Sequence, residues 1–162
     1  MKNQIIALVP MIRRFAYSLT GNQHDADDLL QNTIERLLTK GVPENVELNK
    51  WMFRVCRNLW IDEYRSRKVR QTAAESPELI DGQIVNDEKQ QTDKISLQEV
   101  NNAMDILPDE QRSILSLVAI QGMSYKEVAE TLEIPIGTVM SRLSRARISL
   151  SQCLNNSTGV MA

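Results

Sequence analysis

Apolar residues recur at a spacing of about 3.6 through most of this chain, and nowhere does a sustained alternation of apolar and polar residues replace that rhythm. Such a pattern specifies amphipathic helices and leaves little material for a sheet. A first helix is expected over residues 3–19, closed by Gly21-Asn22. A second starts near Asp25 and puts Ala26, Leu29, Leu30, Thr33, Ile34, Leu37 and Leu38 on one face, and Gly41 and Pro43 end it. A third, over residues 49–69, turns Met52, Val55, Cys56, Leu59 and Tyr64 inward.

The rhythm breaks between Thr72 and Lys94, where Pro, Gly, Gln and acids replace it. Helices then resume over residues 96–106, 109–121, 125–132 and from Pro135 to about residue 153. Ser124, with Glu127 three positions on, forms a capping-box signature at the start of the shortest of these. The expected fold is all-α: two small helical domains, residues 1–71 and 96–155, joined by a flexible linker over 72–95. Fully extended, that linker reaches about 75 Å, comparable with two turns of B-DNA at about 70 Å. It would allow the two domains to occupy separate sites.

The formal net charge of −2 hides strong segregation. Residues 1–50 are neutral, 51–71 carry +4, 72–110 carry −8 and 111–162 carry +2. Clustered rather than total charge reveals a nucleic-acid partner. The single histidine, His24, and two distant cysteines, Cys56 and Cys153, match no metal-ligand spacing. No cofactor, metal or small-molecule substrate is expected, and no enzymatic activity. Without an apolar run of membrane-spanning length or a signal pattern at the N-terminus, the chain is expected to be cytoplasmic and not inserted in a membrane.

Two segments carry the functional reading. In residues 124–147, a short capped helix, a tight turn and a basic amphipathic helix form a helix-turn-helix pattern. On the second helix Val139, Leu143, Ala146 and Leu150 share one side, while Thr138, Ser141, Arg142, Arg145 and Ser149 share the adjacent arc. The first set suits packing, the second a major groove, where arginine can hold guanine through two hydrogen bonds. Lys126 and Arg147 suit phosphate contacts. A solvated helix in an ordinary bundle is the plainer alternative.

The second segment, residues 51–68, combines Arg54, Arg57, Arg65, Arg67 and Lys68 with Trp51, Phe53, Trp60 and Tyr64. Such a stripe offers phosphate contacts and aromatic walls for unpaired bases. Trp51 and Phe53 at helical spacing also suit core packing, and Trp60 suits either role.

The run LPDEQRSILSLVAIQGMSYKEVAETLEIPIGTVMSRLSRAR resembles the fourth region of bacterial sigma factors, and HDADDLLQNTIERLL with WMFRVCRNLWIDEYRSRK resembles their second region. The pattern of these two regions, without a third domain between them, is that of the extracytoplasmic-function (ECF) group. The resemblance implies a dissociable subunit of RNA polymerase that directs promoter-specific initiation. Thr138, Ser141, Arg142 and Arg145, with Lys126 and Arg147, would face the −35 element. Arg54, Arg57, Asn58, Trp60, Arg65, Arg67 and Lys68 would melt and read the −10 element.

Asp28, Gln31, Asn32 and Glu35 would dock on the clamp helices of the largest polymerase subunit, and the flap of the core polymerase is a further implied contact. Acids near a helix start also complement its dipole, which gives Asp25, Asp27 and Asp28 a second explanation. A cognate anti-sigma factor is a further implied partner. A free-standing helix-turn-helix regulator is the alternative reading.

Overall fold

The computed structural model describes residues 2–65 and 97–159, so the acidic linker over 72–95, together with Arg67 and Lys68, lies outside the described residues. Among the described residues the chain is all-α, with no strand. The N-terminal module consists of α1 (Lys2–Thr20), α2 (Gln23–Lys40) and α3 (Leu48–Leu59), and α3 runs on into a π-helical turn, Trp60–Arg65. The C-terminal module consists of α4 (Leu97–Asp105), α5 (Asp109–Leu115) with a π-helical continuation Ser116–Ile120, α6 (Tyr125–Leu132) and α7 (Ile136–Gly159).

The breaks between helices follow local chemistry. Gly21 and Gly41 take φ of +71° and +76°, a backbone region that a β-carbon makes costly, and so each can stop its helix. The Asn22 side chain accepts the Asp25 N–H at 3.1 Å, which caps α2 two residues ahead of the expected start. At α6 the expected capping box is present: the Ser124 hydroxyl accepts the Glu127 N–H, and the Glu127 carboxylate accepts the Ser124 N–H, both at 3.1 Å. These bonds hold the Glu127 carboxyl below its usual pKa. Ser124→Ala should therefore lower the unfolding free energy by about 0.5–2 kcal/mol. Chemical denaturation checks this, and an unchanged midpoint would deny the cap a role.

Core residues follow the predicted stripes, with informative exceptions. Leu38 was expected on the inner face of α2 but is 54% exposed, and Ile34 is only half-buried. Together with Val9 and Leu30 they line an open groove between α1 and α2. On α3 the buried surface is wider than one stripe: Phe53 joins Met52, Val55, Cys56 and Leu59, and Trp60 follows at 3% exposure. The Phe53 ring meets Phe15 edge-on, with centroids 5.2 Å apart. Burial pushes the Cys56 thiol up to about 12, although its hydrogen bond with Thr33 opposes the shift, so it stays protonated and unreactive near neutrality.

The two modules do not stand apart. Their buried residues form one continuous cluster, from Ile5 and Phe15 in α1 to Leu143 and Ala146 in α7. Arg112 of α5 is the largest fully buried side chain. It donates Nε to the Ser18 carbonyl at 3.0 Å, pairs with Asp105 at 2.5 Å and lies 5.9 Å from the centre of the Trp60 ring. A buried cation is costly unless paired and hydrogen-bonded, and here part of that satisfaction comes from the other module. Gln121 adds a second tie by donating to the Met11 carbonyl.

Candidate nucleic-acid and polymerase interfaces

The helix-turn-helix has the expected geometry. Val128 and Thr131 of α6 and Val139, Leu143 and Ala146 of α7 are buried, with Leu150 half-buried, which fixes α7 against its own module. Ser141, Arg145 and Arg147 on α7 and Lys126 on α6 are exposed, and Thr138 and Arg142 are half-buried. Thr131, a polar residue outside the apolar pattern of α6, is fully buried. Its hydroxyl donates to the Glu127 carbonyl at 2.7 Å, and this lets a polar side chain enter the core. Periodicity of apolar residues cannot register such a side chain. Ile136 and Met140, both about half exposed, add an apolar edge to the outer surface of α7.

The basic helix α3 is arranged differently from the open phosphate-binding stripe its sequence suggests. Arg54 is mostly covered: it donates Nε to the Thr131 carbonyl at 2.7 Å, pairs with Glu133 at 2.9 Å and lies 5.2 Å from the Trp51 ring centre. Arg57 donates Nε to the Ser113 hydroxyl at 3.0 Å and pairs with Glu110 at 3.5 Å. Burial lowers the Arg57 pKa below its usual value, with Glu110 opposing that shift. Lys50 pairs with Glu130 at 2.5 Å; this contact raises the lysine pKa and lowers that of the glutamate.

Asn58 is exposed and accepts from Arg57 at 3.3 Å. Trp60, expected either in the core or facing a base, is in the core in this conformation. Arg65 closes the π-helical turn.

On α2, Asp28, Gln31 and Glu35 face outward. Asp28 lies 3.8 Å from His24, an i,i+4 pair. Asn32 departs from the expected outer face: it is half-buried and donates to the Tyr64 hydroxyl at 2.5 Å, tying α2 to the end of α3. No group of three or more potential metal ligands occurs among the described residues. No described helix is long and apolar enough to cross a membrane.

Comparison with known proteins places both modules. Residues 5–70 match the family model "Sigma-70 region 2" and residues 97–150 match "Sigma-70, region 4". The chain is 35% identical over 156 residues to "ECF RNA polymerase sigma factor EcfG" of Rhodopseudomonas palustris, covering 95% of this chain and 84% of the relative. It is 30% identical to "ECF RNA polymerase sigma factor SigW" of Bacillus subtilis, covering 90% and 83%.

Among solved structures, the sigma factor RpoE in complex with the anti-sigma factor NepR from Bartonella quintana aligns with a TM-score of 0.69 and 28% identity. That alignment covers 95% of this chain and 96% of the other. CnrH in complex with the cytosolic domain of CnrY shares the fold at a TM-score of 0.69 and 23% identity, covering 96% and 87%. With both of its modules matched by sigma-70 regions and its relatives ECF sigma factors along most of their length, the chain belongs to the extracytoplasmic-function sigma factors of RNA polymerase.

Proposed function

We propose that this sigma factor, which has no catalytic activity of its own, works in the cytoplasm as a dissociable polymerase subunit whose two modules read separate promoter elements. The observation that carries this reading is the division of labour on α7. Val139, Leu143 and Ala146 anchor the helix, while Ser141, Arg142 and Arg145 remain on its outer side, within a chain that also contains region 2. Thr138, Ser141, Arg142 and Arg145 would read −35 bases, and Lys126 and Arg147 would hold phosphates.

In region 2, Arg54, Arg57, Asn58, Arg65, Arg67 and Lys68 would engage the −10 element, with Trp60 contributing only if the modules separate. The groove between α1 and α2, lined in part by Gln31 and Glu35, would dock on the clamp helices of the polymerase together with exposed Asp28. Asn32 would serve it indirectly by fixing α2 to Tyr64. The flap would receive region 4. A cognate anti-sigma factor is a natural partner, since the similar RpoE structure is a complex with the anti-sigma factor NepR. The free-standing regulator is the less favoured reading, because it gives region 2 no task.

Run-off transcription by core polymerase over a library of genomic fragments, with and without this chain, tests the reading. Transcripts starting at a small, shared set of promoters only when the chain is present are expected. No chain-dependent start sites would overturn it. In the same assay, Asp28→Lys combined with Glu35→Lys should weaken core binding by about tenfold or more, since like charge at a docking surface costs several kcal/mol. Wild-type affinity with the double variant would remove both residues from the interface.

A further inference from the structure

The apolar edge of the recognition helix has no task in the function proposed above. Ile136 and Met140 lie one turn apart on α7, and both are about half exposed. A lone exposed apolar side chain is ordinary on any protein surface. Here two of them adjoin the residues assigned to −35 bases, in the N-terminal turns of a recognition helix, the part that meets base edges. Ile148 is exposed as well, but it lies two turns beyond Met140.

What covers this edge follows from its surroundings. The line of α7 opposite its buried side is made of small residues, Gly137, Ser141 and Ser144, all exposed. A β-carbon at Gly137 would meet nothing within 4 Å, so packing within the chain does not require glycine there. Small residues along that line let the helix come close to the floor of a groove, and longer side chains on either flank then reach base edges. Met140 stands on one flank, Arg145 and Arg142 on the other.

The helix contains no acidic residue and carries three arginines, of which Arg147 lies two turns beyond Met140 on the same flank. Such charge suits a polyanion. In the major groove the one apolar group presented by a base edge is the C5-methyl of thymine. Serine and arginine read donors and acceptors, and a methyl offers them neither. A methionine side chain, unbranched and polarisable, adapts readily to such a group.

We propose that Met140, flanked by Ile136, is a specificity-determining residue that makes apolar contact with the C5-methyl of a thymine in the −35 element. This chain therefore selects thymine at one −35 position by its methyl, apart from any hydrogen bond to that base. The contact rests on the assignment of α7 to the −35 element given above, and adds to it what the polar residues cannot supply.

The test uses the full chain with core polymerase, in run-off transcription from promoters with a randomised −35 element. The unsubstituted chain should select thymine at one position on one strand, and Met140→Ala should lose that preference while keeping the others. At that position thymine is then replaced by deoxyuridine, which removes the methyl and keeps every hydrogen-bonding group. The unsubstituted chain should initiate about 3- to 5-fold less well from the deoxyuridine promoter, the effect of one buried methyl. Met140→Ala should initiate equally from both promoters, and Met140→Leu should recover most of the discrimination. Because Met140 lies outside the core, circular dichroism should show unchanged helix content in both variants.

No thymine preference in the unsubstituted chain, or a deoxyuridine promoter as active as the thymine one, would overturn the contact. Equal loss with Met140→Ala on thymine and deoxyuridine promoters would do so too, since a misplaced helix cannot tell a methyl from a hydrogen. A fall in core-polymerase affinity with thymine discrimination intact would give the edge to the polymerase instead. In each of these cases −35-dependent initiation persists and the functional reading stands. Absence of any chain-dependent initiation would overturn that reading, and the thymine contact with it.

Discussion

Phe53→Ala should lower the unfolding free energy by about 3–5 kcal/mol, the cost of removing a large aromatic side chain from a packed interior. Phe53 has no exposed surface, and its ring is set edge-on against the equally buried Phe15, so the substitution removes both apolar burial and the ring–ring contact. The residue joins α1 to α3, and neither helix can close the void without moving its neighbours. Urea denaturation followed by circular dichroism checks the loss. A change below about 1 kcal/mol would mean that Phe53 is not part of a rigid core, and would reopen a surface role for it. The same substitution should leave specificity for promoter sequence unaltered in whatever fraction remains folded.

Arg142→Ala should lower initiation by about 5- to 150-fold at promoters with an intact −35 element, the equivalent of losing one two-pronged arginine–base contact worth about 1–3 kcal/mol. Promoters in which that element has been scrambled should change little. Arg142 also pairs with Glu110 of its own module, a contact that its removal breaks. Initiation is measured with core polymerase saturated by the sigma factor, so that binding to core no longer limits the rate. Equal loss at intact and scrambled promoters would contradict base reading by Arg142 and make it a phosphate contact.

Much of this protein could be read from spacing. The helices of both modules, the capping box at Ser124 and the anchored side of the recognition helix follow from apolar periodicity and turn chemistry. Those features depend on neighbours within a few residues, and local sequence contains them. The ECF sigma family was recognisable for the same reason, since its two regions are continuous stretches of chain.

Other features needed the assembled molecule. Thr131 is buried because a carbonyl one turn away accepts its hydroxyl proton, and Leu38 is exposed because α1 leaves a groove beside it. Asn32 looked like a docking residue until Tyr64, 32 positions on, met it.

The basic helix shows the division most clearly. Sequence by itself determined that residues 51–65 form a helix rich in arginine and aromatic rings, and thus a surface able to hold nucleic acid. Only the tertiary structure decided where those arginines go in the free chain: onto glutamates and helix-end carbonyls of the other module, with Trp60 packed beside Arg112. The physical reason is that charge and propensity belong to each segment alone, whereas a partner some 80 residues distant, such as Glu130 for Lys50, is fixed only when two separately specified modules meet.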